Sequence, residues 1–268
     1  MNYVQDSGVV SAVQNCLESR GAPGEVARIM GILNESPIPA LVSSEGFSMD
    51  PWIQSYPSSA EQLRDCLKDA QIIVFLRDPV DWILSMHGLA VQKRRFVTLK
   101  EFVGWNGKEF VSRDVGDRKR QINVTGLSYS GLLEIWNKSF PQKNVHVFFY
   151  ENLRRRPKVE LERLCGVLGV SFPAGFDVHQ RRNSSSTPER CDAAGAAYRY
   201  LTGIDRLTKP WRISHKVGPY IAENIASGRI PFPYFYLRGQ REEIRRALES
   251  FFMDEKRRVA SMYTECPW

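Results

Sequence analysis

An α/β domain with a central parallel sheet is the fold class this sequence predicts, on three observations. Two short unbroken apolar runs, residues 72–76 and 145–150, have the length and composition of strands covered on both faces. Each leads into a stretch with helical periodicity, and strand, helix, strand, helix is the order that gives right-handed parallel crossovers. From Pro188 onward the chain is mostly helical, which adds a largely helical C-terminal part. At 268 residues the chain is long enough for one large domain or two small ones, and one domain with helical additions is the expectation. Its parts are a helical N-terminal segment, 1–36, an α/β core, 37–187, and a helical extension, 188–268.

Residues 1–36 read as two helices broken at Gly21-Ala-Pro-Gly24. Val9, Val10, Val13 and Leu17 form the first apolar stripe, and Val26, Ile29, Met30 and Leu33 the second. A short strand within 38–46 ends in Ser43, Ser44 and Glu45. Residues 50–57 carry Trp52 and Tyr56 between prolines, an aromatic loop suited to stacking on sugar faces or to packing on itself. Ser58-Ser-Ala-Glu61 has capping-box character and opens a helix with Leu63, Cys66 and Leu67 inward.

The strand at 72–76 delivers Arg77 to its carboxyl end. Asp78 is placed to cap the next helix, and Pro79 suits a first helical position, where the missing N–H is no loss. Val80, Ile83, Leu84 and His87 then recur at helical spacing, so one face of that helix is expected to pack on the sheet. Thr98 caps a short segment carrying Phe102, Val103, Trp105 and Phe110, and 112–123 reads as a charged loop beside the site. Tyr129, Leu132, Leu133, Trp136 and Phe140 line one helical face until Pro141 stops it. After the second strand, Pro157 starts a helix with Leu161, Leu164, Cys165 and Leu168 expected inward, closed by Gly169. Further helices are expected over 188–207, 216–227, 240–252 and 254–263, with Pro231-Phe-Pro-Tyr-Phe-Tyr236 as an aromatic connector.

With 43% hydrophobic and 25% charged residues the composition is that of an ordinary globular protein. Nothing approaches the roughly 20 apolar residues that span a bilayer, and the amino terminus lacks a signal-peptide pattern, so a cytoplasmic location is expected. Cys16, Cys66, Cys165, Cys191 and Cys266 are odd in number and scattered, suggesting neither a disulfide framework nor a zinc site. The net charge of +7 is concentrated in clusters such as Lys93-Arg94-Arg95 and Arg154-Arg155-Arg156, a field that draws polyanionic ligands, although any one cluster reads equally as a solvated helix end.

Arg77 at a strand end, with Ser85 eight residues on, resembles the 3′-phosphate-binding element of the sulfotransferases that use 3′-phosphoadenosine 5′-phosphosulfate (PAPS). The match is Leu76-Arg-Asp-Pro-Val-Asp-Trp-Ile-Leu-Ser85. The downstream run is similar as well: a tyrosine-helix-tryptophan stretch, a strand ending in Tyr150-Glu151, and a helix closing at Leu168-Gly169. The Ser43-Ser44-Glu45 segment looks like that of bacterial carbohydrate sulfotransferases. This resemblance implies a P-loop-like three-layer fold with helices on both faces of the sheet. It implies sulfuryl transfer from PAPS to a hydroxyl of a carbohydrate or other small acceptor, with adenosine 3′,5′-bisphosphate as product and no metal.

Under that resemblance Arg77 and Ser85 bind the 3′-phosphate, and Arg181, Arg182 and Asn183, with Ser184, are similar to a cluster that closes over the nucleotide. Arg77 alone reads equally as a sheet-edge cation paired to Asp78 or Asp81. Transfer to a hydroxyl needs a base for the acceptor's proton, and a carboxylate at a strand end can serve. Glu45 is the candidate, weighed against a simple capping or lysine-paired carboxylate. His87 is the second candidate, weighed against a core-edge histidine.

One departure stands out. The family's glycine- and threonine-containing loop for the 5′-phosphosulfate has no counterpart here, because Gly21–Gly24 is followed by neither Lys-Ser/Thr nor Gly-Thr-Thr. The alternative reading is therefore a non-catalytic sulfotransferase-like module that binds a nucleotide or an anionic glycan. A nucleic-acid-binding role is weaker, because the basic clusters are scattered over several expected elements and form no recognised binding motif.

Overall fold

The computed structural model describes residues 2–4, 31, 40–42, 60, 64–65, 69–93, 95–111, 121–177, 188–207, 214–230 and 235–268. In chain order its strands are β1 (Asn2–Val4), β2 (Ala40–Val42), β3 (Ile72–Leu76) and β4 (Val145–Phe149). Between β3 and β4 lie the helices α1 (Pro79–Gln92), α2 (Leu99–Phe102) and α3 (Tyr129–Ser139). After β4 come α4 (Tyr150–Arg155), α5 (Pro157–Val167), α6 (Pro188–Leu207), α7 (Ser214–Ala226), α8 (Phe235–Phe251) and α9 (Met253–Met262). The described strands form two parallel pairs, β1 with β2 and β3 with β4, so the fold is α/β with little sheet and much helix. None of the described helices is long and apolar enough to cross a membrane.

Two compact units organise the chain. The first comprises Met1–Arg77, Ser128–His179 and Arg257–Trp268; the second comprises Asp78–Leu127 and Gln180–Lys256.

In the first unit β3 and β4 run in register from Ile72 opposite Val145 to Leu76 opposite Phe149. Val74, Leu76, Val147, Phe148 and Phe149 are buried, and each large apolar side chain taken out of water stabilises by about 1.5–3 kcal/mol. Ser128 caps α3 by accepting from the Gly131 amide at 3.0 Å, and Leu132, Leu133 and Trp136 are buried along it. The carboxyl-terminal residues fold back onto this core. Trp268 meets Phe149 edge-on at 5.3 Å and donates its indole N–H to Glu151 at 3.0 Å, while Asn152 donates to the Glu265 carbonyl at 2.9 Å.

Two expectations need correction here. Asn2–Val4 is a strand paired with β2, at the start of a segment, 1–36, expected to consist of two helices. On α5, Leu161, Leu164, Cys165 and Leu168 are only half-buried, and the buried residue is Glu160. A carboxylate can go inside there because Arg156 meets it at 2.9 Å and Arg163 at 3.3 Å, and Arg163 itself lies over the Phe148 ring and donates to the Val147 carbonyl. Gly169, at φ +65°, closes the helix in the left-handed conformation that favours glycine.

In the second unit Asp78 caps α1 by accepting from the amides of Val80 and Asp81 at 2.9 and 3.2 Å. Its other carboxylate oxygen meets Lys256 at 2.6 Å, and Asp81 pairs with Arg245 at 3.2 Å. Thr98 and Glu101 form the reciprocal capping box of α2. Small residues bring α6 and α7 together: Cys191, Ala193, Ala194 and Ala197 meet Ala222, Ile225 and Ala226, with Val91 and Phe96 completing the cluster. Gly195 sits so close to the segment before α2 that a Cβ there would lie 2.3 Å from the Val97 carbonyl oxygen. The last expected connector is shorter than the sequence suggests, since α8 already begins at Phe235.

Candidate functional site

Arg77 leaves β3 one residue beyond the register pair Leu76 and Phe149, and Tyr150 leaves β4 at the same level. Their side chains meet as that register requires, with the Arg77 guanidinium carbon 5.0 Å from the centre of the Tyr150 ring. Tyr150 remains 43% exposed, so this platform is open to solvent. The Arg77 Nε is buried and has no hydrogen-bond partner among the described residues. A buried donor left unpaired is costly, and a guanidinium is built to offer a planar pair of N–H groups to an oxyanion. The geometry therefore fits a phosphate or sulfate group at the end of β3.

Ser85 lies on α1 in the second unit, where it is exposed. His87 stands two residues on, about 200° around a helix that turns about 100° per residue, and so faces the other way. It is buried at 1% exposure. Its Nε2 lies 2.9 Å from the Val97 carbonyl and its ring is 5.3 Å from that of Phe102. Nδ1 is 3.8 Å from an Asp192 oxygen, too far for a hydrogen bond. Burial holds the imidazole below its ordinary basicity, and the Arg241 cation adds to this; the Asp192 carboxylate and the Val97 carbonyl only partly oppose them. The ring is thus neutral near pH 7, donates from Nε2 to Val97, and has no nitrogen at the surface. Glu45, Arg181, Arg182 and Asn183 lie outside the described residues, as do Ser43, Ser44 and Ser184.

Reading the sequence also missed a buried polar node in the second unit. Asp192 on α6 accepts from the Leu99 amide at 3.3 Å and pairs with Arg241 of α8 at 2.7 Å, with both side chains nearly buried. It fixes the start of α2, as does His87 through Val97. The only local signal was an aspartate in an otherwise alanine-rich helical stripe.

The family model for the sulfotransferase domain matches residues 58–187, which contain Arg77, Ser85, His87 and Tyr150. A crystal structure of a sulfotransferase from Alicyclobacillus acidocaldarius is similar at 21% identity with a TM-score of 0.35. The alignment covers 57% of this chain and 60% of that one, so this chain spans less than two thirds of that protein's length. No curated protein matches the chain.

Proposed function

We propose that this chain, whose residues 58–187 match the family model for the sulfotransferase domain, transfers a sulfuryl group from PAPS to a hydroxyl of a carbohydrate or other small acceptor. The observation that carries the donor assignment is the buried Nε of Arg77 at the end of β3, which has no hydrogen-bond partner among the described residues. Arg77 takes the ribose 3′-phosphate with its fork, and the family resemblance gives Ser85 a phosphate-binding role as well. Arg181, Arg182 and Asn183 close over the nucleotide. The nucleotide supplies the activated sulfuryl group. The chain's own part is to hold that nucleotide, to meet growing negative charge with cations and N–H groups, and to take the acceptor's hydroxyl proton on Glu45. His87, neutral and enclosed, supports the fold of the second unit in this reading instead of acting as base.

A second reading is a module that binds the nucleotide without turnover. Thermal unfolding with and without adenosine 3′,5′-bisphosphate tests what the two share. A ligand that binds the folded state at 100 times its Kd stabilises by about 2.7 kcal/mol and must raise the midpoint. The rise is expected in the natural sequence and not in Arg77→Ala. An unchanged rise in that variant refutes the strand-end site. With PAPS and an acceptor, Glu45→Gln separates the readings, because it should keep the bisphosphate shift and lose turnover.

A further inference from the structure

A cleft of about 520 Å³ among the described residues lies wholly within the second unit and is not used by any of the roles above. It is bounded by α2, by the turn that follows it, and by Gln240 on α8. The turn is well formed. Trp105 and Phe110 bridge as an antiparallel pair, and the Val111 amide donates to the Gly104 carbonyl at 2.9 Å. One wall is the Trp105 indole. Its N–H is already given to Glu243 at 2.9 Å, and its ring leans on Phe110, which packs edge-on against Phe251. Trp105 therefore offers a ligand an apolar face held in place, and no hydrogen bond.

The polar groups around that face are mostly donors. The Asn106 side-chain oxygen is occupied by the amides of Lys108 and Glu109, at 2.8 and 2.9 Å, which leaves its NH₂ group to donate. Lys100 has no carboxylate partner among the described residues and can only donate. Gln240 is exposed and can do both. Glu101 is the acidic member, and its Oε2 is committed to the Thr98 amide and hydroxyl at 3.1 and 2.9 Å. A fixed aromatic face ringed by donors and an ammonium without a carboxylate partner among the described residues is matched by a ligand with a flat C–H face and an excess of acceptors, one of them anionic.

We propose that this cleft is a saccharide subsite selecting a uronate-bearing sugar, with the pyranose against Trp105 and its carboxylate at Lys100. Calling it the acceptor's subsite rests on the sulfuryl-transfer reading; the binding itself does not.

The test is calorimetric titration of the full chain, at low and fixed ionic strength, with a tetrasaccharide alternating glucuronate and N-acetylglucosamine, and in parallel with neutral chitotetraose. The acidic tetrasaccharide is expected to bind about tenfold more tightly than the neutral one, a ratio worth about 1.4 kcal/mol. Lys100→Gln should abolish that preference. Trp105→Ala should weaken the acidic ligand by at least about tenfold. Trp105→Phe, which keeps a ring, should retain most of the affinity and guards against a folding defect. Equal binding of the two saccharides, no binding of either, or full affinity in a folded Trp105→Ala overturns the inference. The bisphosphate shift separates this from the donor assignment. A chain that takes up the bisphosphate but no saccharide refutes the subsite alone. One that binds the acidic saccharide but no bisphosphate supports the cleft and removes the acceptor role with the donor site.

Discussion

Tyr150 sets a measurable test of how Arg77 is held. Replacing Tyr150 by alanine removes the ring 5.0 Å from the guanidinium while leaving the backbone of α4 to a good helix former. With the ring 43% exposed, the contact belongs at the weaker end for such pairs, about 0.5–1 kcal/mol, or roughly a two- to fivefold change in affinity. Loss of the platform also frees the arginine's rotamers, and re-ordering a long side chain on binding costs a further 0.5–1.5 kcal/mol or so. The dissociation constant for adenosine 3′,5′-bisphosphate should therefore rise about five- to seventyfold in Tyr150→Ala. Tyr150→Phe should change it little, because the ring face and not the hydroxyl is what lies under Arg77. Arg77→Lys should be worse than either, about ten- to hundredfold, since a point charge replaces a fork whose charge-assisted bonds are worth about 1.5–3 kcal/mol. Calorimetry at constant ionic strength is the appropriate assay, because phosphate contacts are screened by salt. Wild-type affinity in Tyr150→Ala, or equal losses in Tyr150→Ala and Tyr150→Phe, would refute the stacking argument.

Two other outcomes follow from the second unit. Asp192→Ala leaves the Arg241 charge nearly buried without its 2.7 Å partner and should lower the stability of the full chain by about 3–5 kcal/mol in urea unfolding, with Asp192→Ala/Arg241→Met regaining most of it; a loss under about 1 kcal/mol would show that the pair is not structurally committed. His87, held below its ordinary value of 6.5 by burial, takes up its proton in the unfolded chain before the folded one. Its contribution is present above pH 6.5 and is lost as the pH falls toward the folded-state value, so the thermal midpoint should drop between pH 7 and 5 more steeply in the natural protein than in His87→Gln. Parallel pH profiles would exclude His87 as the group responsible.

Elements whose signals are local were legible. Asp78-Pro79 opens α1, Thr98 caps α2, and Pro188 to Leu207 bounds α6, because caps and breakers act within a turn of the residues they order. What escaped depends on partners distant in sequence. Asn2–Val4 is too short to show a period and becomes a strand by pairing with Ala40–Val42. Glu160 looks like a surface residue until Arg156 and Arg163 bracket it, and a hydrophobic count gives no weight to such a pairing. Phe235 reads as part of an aromatic connector, although a helix can start as soon as Pro233 is passed.

The candidate site divides along the same line. Arg77 is legible because a residue following a buried strand must leave the sheet whatever packs around it, and strand ends are where α/β sheets bind ligands. Its partner Tyr150 is not legible from either strand alone. It follows only from the parallel register, which ends both strands at one level and sends the next two side chains out together. On α1 the sequence left Ser85 and His87 both as candidates, yet two residues on a helix point about 200° apart, so a single ligand cannot engage both. Which of them faces outward depends on what packs on α1. The Val97 carbonyl and Phe102 claim the face bearing His87, which leaves Ser85 exposed and takes the imidazole out of reach of any acceptor.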